Sequence, residues 1–259
     1  MSEPAISLTE RDGGAFLELR LERPPRNVLD GDALDALTAL AAAAASSERY
    51  RAARALLVTA AGPNFCVGAS VPEHARAHVA AMLGRFHGAL RALVESDLPI
   101  VAAVRGHCLG GGLELVSLAT RVVVHPAAQL GQPEIRLGAM APIASLVLPR
   151  RIGQARAEDL LLSGRTLDAP AALASGLVDA VADDPEAAAA DWIRANLVPH
   201  SASCLRLATR AARSALRREL AELLPGVERL YVEQLSPTHD AEEGIAAFLE
   251  KRAPRWEHR

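Results

Sequence analysis

Apolar and polar residues alternate at the start of the chain. Ile6 and Leu8, then Phe16, Leu17, Leu19 and Leu21, flank Asp12-Gly13-Gly14. A period near two on either side of a glycine turn predicts a β-hairpin. Pro24-Pro25-Arg26-Asn27 breaks the second strand. The spacing then lengthens. Leu34, Leu37 and Leu40 predict a helix running to about Ser46, with Asp30 or Asp32 as its cap. Ala55-Leu56-Leu57-Val58-Thr59 reads as a buried strand, and residues 76–95 as a helix through Val79, Met82, Phe86 and Leu90. Pro99-Ile100-Val101-Ala102-Ala103-Val104 is a second buried strand, ended by Gly106. Residues 111–120 predict a helix and Val122-Val123-Val124 a strand. Helices follow at 153–162 and 170–174, then a turn and strand over 176–181. From about Pro185 the strand signals stop, and helices are expected at 186–197, 201–223, 226–235 and 240–251. An alternating strand–helix region therefore precedes an all-helical tail, which is an α/β pattern.

Composition narrows this picture. The 259 residues suit one large domain, or a core with a small appendage, and half of them are apolar. Aromatics are only 3 %, so the core must be built from Ala, Val and Leu. Net charge is −3 with both signs interspersed, which argues against a nucleic-acid stripe or a polybasic membrane anchor. Lys251 is the sole lysine; arginine, which suits phosphate binding, supplies the other bases. Cys66, Cys108 and Cys204 have neither zinc spacing nor a disulfide framework, so no metal site is expected and a reducing compartment fits. Met1-Ser2-Glu3-Pro4 does not read as a signal segment, and no apolar run is long enough to span a bilayer. The expectation is a soluble, cytoplasmic protein.

The candidate chemistry lies in two glutamates beside glycine-rich backbone. Gly110-Gly111-Gly112 follows a buried strand and opens a helix that carries Glu114 among Leu113, Leu115 and Val116. Such a turn can be a close-packed strand–helix junction or a helix N-terminus whose free N–H groups meet an anion. Glu114 could pair with Arg105 or Arg121, could face solvent, or could be a buried acid with shifted pKa. Glu134, in Gly131-Gln132-Pro133-Glu134, could equally be a surface residue. Phe65-Cys66-Val67-Gly68-Ala69-Ser70 offers a second set of amides after a strand, and Ser70 has no nucleophile elbow around it. His74 and His78 are four apart without the zincin glutamate, and His87 follows Phe86 on the apolar face of its helix.

In order and spacing these blocks resemble the crotonase family, the enoyl-CoA hydratase/isomerase superfamily. The resemblance runs from Arg23-Pro24-Pro25-Arg26-Asn27-Val28-Leu29 through Phe65-Cys66-Val67-Gly68-Ala69, His107 to Leu115 and Leu130-Gly131-Gln132-Pro133-Glu134. It continues in Leu162-Ser163-Gly164-Arg165, Ala174-Ser175-Gly176-Leu177-Val178 and Glu243 to Arg252. It implies a spiral core of β-β-α turns over residues 1–195 and a helical oligomerisation region over 196–259, assembled as homotrimers or paired trimers. By the same resemblance the thioester oxygen would lie between the N–H groups of Ala69 and Gly111. Coenzyme A would enter near residues 26–29 and 67–71 as part of the substrate, not as a resident cofactor. Arg26, Val28, Val67, Ser70, Val71, Met82, Phe86, His87 and Pro142 would line the substrate site. Glu114 would activate water, and Glu134 would exchange the proton at the α-carbon.

Ordinary hydratases of the family have Asp at the position of Ser70, Lys at Pro72, and a glycine-rich run across Ala139-Met140-Ala141-Pro142-Ile143-Ala144-Ser145. Pro142 has no N–H to offer a bound water. The Ser70-Val71-Pro72-Glu73-His74 loop, Met82 with Phe86-His87, the Pro142 segment, Arg229-Leu230-Tyr231 and Arg255-Trp256 resemble the subgroup that hydrates cyclohexa-1,5-diene-1-carbonyl-CoA. A hydratase or isomerase of linear enoyl-CoA is the alternative within the family. A catalytically silent assembly partner is the alternative outside enzymology.

Overall fold

A computed structural model of the chain describes residues 4–259. The hairpin pairs β1 (Ile6–Arg11) with β2 (Phe16–Leu21) in antiparallel register, Ile6 opposite Leu21 and Arg11 opposite Phe16. From β2 the sheet grows by parallel addition of β3 (Leu56–Ala60), β4 (Ile100–Val104), β6 (Arg121–Val124) and β9 (Ala180–Val181). A second sheet holds β5 (His107–Leu109), β7 (Gln129–Gly131) and β8 (Thr166–Asp168). These three-residue strands are too short for a periodic signal, and the sequence pattern assigns none of them. They make the spiral: the chain leaves β4 for β5, returns in β6, and leaves again in β7.

Parallel strands covered on both faces lose the polar side of their alternation. Leu56, Val58, Ile100, Ala102, Val104, Val122 and Val124 pack into the main core. Their neighbours Leu57, Val101, Ala103 and Val123 turn the other way, under Ala189 and Ile193 of α7 (Pro185–Asn196). The main core is closed by α1 (Gly31–Ser46), α2 (Val79–Glu95) and α3 (Gly111–Ser117), with α4 (Pro142–Ile152) and α5 (Gln154–Ser163) beyond them. Asp30 caps α1, its carboxylate accepting the Ala33 N–H at 3.0 Å. After α6 (Ala169–Ser175) and α7, the chain ends in α8 (Ala202–Ala212), α9 (Ser214–Arg229) and α10 (His239–Leu249).

Two helical assignments differ from the sequence pattern. Residues 142–152 form a helix that the two prolines hid; Pro142 stands at its first position, where a missing N–H costs nothing. The break expected near Pro225 falls instead at Arg213, and α9 runs through the proline into a π-helical turn, Leu230–Leu235. Burial of Leu220, Leu224 and Tyr231 against the core holds that continuous course. At Arg213 the chain turns, and its guanidinium donates to the Leu98 carbonyl at 3.0 Å.

Arg213, between α8 and α9, joins arginines of both helices that grip the chain at and just beyond the C-terminal ends of α1 and α2. Arg206 donates to the carbonyls of Ala44, Tyr50 and Ser96 at 3.2, 3.0 and 3.2 Å. Arg217 donates to Val94 O at 2.7 Å, and Arg210 and Arg217 together hold the buried Asp97 carboxylate. Cations at helix C-termini complement the helix dipole. Burial alone would raise the Asp97 pKa, but the bonds from Arg210 and Arg217 outweigh it and leave it below its ordinary value. This stabilisation is present above the unfolded pKa and is lost as pH falls through the folded one. Asp97→Asn is expected to lose about 1–2 kcal/mol in urea unfolding at neutral pH; an unchanged midpoint would rule the clamp out. Among the described residues no helix is long and apolar enough to cross a membrane.

Candidate active site

The site forms where the two sheets part. Buried Asn27 donates to the carbonyls of Ala61 and Asn64 at 2.9 and 2.8 Å, fixing residues 26–29 beside the loop after β3. Val67 N–H then donates to Arg26 O, Leu29 N–H to Gly68 O and Ser70 N–H to Leu29 O. Ala69 N–H takes no part in this ladder. The Gly111 N–H, at the start of α3, likewise has no acceptor among the described residues. The two donors are neighbours, since a Cβ built on Gly111 would lie 3.2 Å from Ala69 N and 2.8 Å from the Phe86 ring. Glycine at 111 keeps that space open.

Glu114 sits one turn into α3 and is only 4 % exposed. Among the described residues no arginine meets it. Its Oε1 accepts the Ala144 N–H at 2.9 Å, and the Ile143 N–H also favours its charged form. The carboxylate therefore caps the N-terminus of α4, which Pro142 opens. Burial raises its pKa, and these two amides hold the rise back.

Glu134 opens a short 3₁₀ turn, Glu134–Leu137, directly after β7. Its carboxylate lies over Gly110, where a Cβ would meet Oε1 at 2.5 Å. Oriented to satisfy both ends of its amide, buried Gln132 donates to Glu134 Oε2 at 3.0 Å and Oε1 at 3.2 Å, and to Gly110 O at 3.2 Å. Burial raises the Glu134 pKa, and the negative charge of Glu114 raises it further. Two such carboxyls share protons as a unit. Raised together in this way, the pair is set to hold one shared proton near neutrality. An ionised carboxylate facing a protonated one suits removal of one proton and delivery of another.

The cleft between them has a volume of about 60 Å³ and is lined by Val67, Ala69, Val71, Met82, Phe86, Gly111 and Pro142 together with the two glutamates. The structure thus brings nine of the candidate residues together. Arg26 is exposed beside the cleft loop, and Val28 is half-buried on the same segment. Ser70 turns its carbonyl to the ring of His74, 2.9 Å away. His87 does not reach the cleft: it is 2 % exposed behind Phe86, with Nδ1 bonded to Glu228 of α9. Leu137 lines the cleft and Gln132 holds Glu134, yet the sequence pattern gives neither a role; His74 and Met140 also line it, and the sequence marks them only within the segments that resemble the subgroup. The position of Gln132 beside Glu134 is the one visible hint.

Residues 11–259 match the sequence pattern of the enoyl-CoA hydratase/isomerase family. The chain belongs to that family. It is 46 % identical over 260 residues to the cyclohexa-1,5-dienecarbonyl-CoA hydratase of Thauera aromatica, covering all of this chain and 98 % of that one. It is 37 % identical over 259 residues to a probable enoyl-CoA hydratase of Mycobacterium bovis, covering 97 % and 98 %. The crystal structure of an enoyl-CoA hydratase/isomerase from Pseudoalteromonas atlantica superposes with a TM-score of 0.82 at 28 % identity, covering 97 % of this chain and 99 % of that one. The spiral with its helical C-terminal region is accordingly the crotonase fold of this family.

Proposed function

We propose that this family member adds water to a conjugated cyclic dienoyl-CoA, of the kind named by cyclohexa-1,5-diene-1-carbonyl-CoA, or removes it in reverse. The observation that supports it most is the glutamate pair closing a small apolar cleft beside two free amides. The full-length similarity to a hydratase named for that thioester supports the substrate. The thioester carbonyl oxygen would accept from Ala69 N–H and Gly111 N–H. As Glu114 takes a proton from water, the hydroxide oxygen bonds to the carbon β to the thioester. The electron pair of the double bond moves toward the carbonyl, and the two amides stabilise the enolate oxygen. Glu134 then gives its proton to a carbon of that enolate. Pro142 offers no N–H, and the next two amides of α4 already serve Glu114. The water is therefore held chiefly by the two carboxyls.

Coenzyme A takes part here only as a portion of the substrate. The protein would act in the cytoplasm as a homotrimer or a pair of trimers. Leu162, Leu207 and Leu223, which this single chain leaves exposed, are available for that association.

The test is turnover. The rate on cyclohexa-1,5-diene-1-carbonyl-CoA is expected to exceed that on crotonyl-CoA by at least about tenfold, the scale of one pocket contact. A preference for crotonyl-CoA would instead assign a linear-chain hydratase. The pH dependence of kcat/KM is expected to be bell-shaped. Activity falls on the acid side once both carboxyls are protonated, and on the alkaline side once the shared proton is lost. Because both pKa values are raised, the acid limb should lie above the ordinary value of 4.5. A plateau extending down to that value would contradict the assignment of roles.

A further inference from the structure

His87 is a buried titratable group that the proposed chemistry does not use. It is 2 % exposed, and its Nδ1 is bonded to the carboxylate of Glu228 on α9, 141 residues along the chain. A ring nitrogen facing a carboxylate carries the proton, so Nδ1–H donates to Glu228. Burial lowers the His87 pKa by more than Glu228 raises it, so the ring is uncharged near neutral pH. Nε2 is then an acceptor, sealed in the interior with no hydrogen-bond partner among the described residues. Burying such an atom unpaired is destabilising. An apolar residue there would avoid that penalty, but it would lose the fixed orientation that the bond to Glu228 supplies.

The His87 ring stands edge to face against Phe86, with centroids 5.8 Å apart and planes at 68°. Phe86 in turn lies against the two free amides. A Cβ built on Gly111 would meet Phe86 Cε2 at 2.8 Å, Phe86 Cζ at 3.0 Å and Ala69 N at 3.2 Å. The ring and both N–H donors therefore converge on the place where the thioester oxygen would sit, and the same ring lines the cleft. If Phe86 turns, it either covers the amides or leaves room for the carbonyl to slip from them. Donors act at about 2.7–3.1 Å from a developing oxyanion, and about 1 Å of misplacement can cost 100-fold in rate. Contacts thus run from Glu228 of α9 through His87 and Phe86 to Gly111, joining the helical C-terminal region to the oxyanion amides of the spiral core.

We propose that His87 and Glu228 are positioning residues for the hydration step: their bond fixes the Phe86 ring as the wall that presents the thioester carbonyl to Ala69 N–H and Gly111 N–H. This rests on the reading of those two amides as the oxyanion site.

The test reads the carbonyl directly. Full-length protein is mixed with cyclohexanecarbonyl-CoA, a saturated thioester that cannot be hydrated, and the thioester carbonyl stretch is followed by infrared difference spectroscopy. In wild type the band is expected to move to lower frequency on binding, because two donors polarise the carbonyl. Glu228→Ala is expected to lose most of that shift. It should hydrate cyclohexa-1,5-diene-1-carbonyl-CoA with kcat reduced about tenfold, part of the 10²–10³ that a lost oxyanion donor costs. Its affinity for free coenzyme A, which has no thioester, should be unchanged. Glu228→Gln still offers Nδ1–H an acceptor and is expected to keep both the shift and kcat. Glu219→Ala removes the ion pair of α9 with Arg150 of α4 and is the control for docking of that helix; it should behave as wild type. A full shift with wild-type kcat in Glu228→Ala would overturn the proposal. So would equal losses in Glu228→Ala and Glu219→Ala, which would make both pairs plain struts for α9. Absence of any shift in wild type would overturn the oxyanion reading and this proposal with it.

Discussion

Glu134→Gln is expected to lower kcat by about 10²–10⁴-fold, the range lost with a positioned acid or base, and Glu114→Gln to do the same. Affinity for a saturated acyl-CoA should survive both changes, because neither removes the Ala69 and Gly111 amides. In Glu114→Gln the new amide oxygen can still accept from Ala144 N–H, so the start of α4 stays anchored. In Glu134→Gln the new side chain can still meet Gln132 but has no proton acidic enough to give to carbon. The carboxyls work as a unit, so the double variant should be little worse than either single one. Steady-state hydration rates beside equilibrium binding check this. Near-normal turnover by either variant would remove that carboxyl from the mechanism.

Gly110→Ala is the second change with a large expected effect. Gly110 has φ of 52° and ψ of −126°, a conformation that residues with a Cβ avoid. An added methyl would meet Glu134 Oε1 at 2.5 Å. The backbone strain is worth about 1–3 kcal/mol. The larger consequence is displacement of Glu134 from the carbon it is proposed to protonate, with kcat expected to fall by about 100-fold or more, as small misplacements can cause. Gly84→Ala is the control. Gly84 lies on the exposed side of α2 with open space around its Cα, and alanine there should stabilise the helix by about 0.5–1 kcal/mol with activity unchanged. Equal activities of the two variants would show that Glu134 does not depend on the Gly110 turn.

The hairpin, the buried strands and most helices were legible because each is long enough to show its period. The second sheet was not, since three-residue strands such as Gln129–Gly131 carry no period of their own. Helix α4 was hidden by Pro142 and Pro149, residues that usually mark a boundary. The glutamates stood out because charged residues in apolar stretches need an explanation. What Glu114 pairs with was not legible: its partners are backbone amides 30 residues away, which leave no mark in side-chain identity. Glu228 and His87 were equally silent about each other, because their meeting depends on how the C-terminal helices fold back over α2.

Addition of water across a conjugated acyl-CoA is the work proposed for the two glutamates. Its most direct test is mass analysis of the thioester after incubating wild type, Glu114→Gln and Glu134→Gln with cyclohexa-1,5-diene-1-carbonyl-CoA in ¹⁸O-water. The expected result is a product heavier by one labelled water for wild type and almost none for either variant. A product of unchanged mass, or labelled product formed equally by the variants, would contradict it.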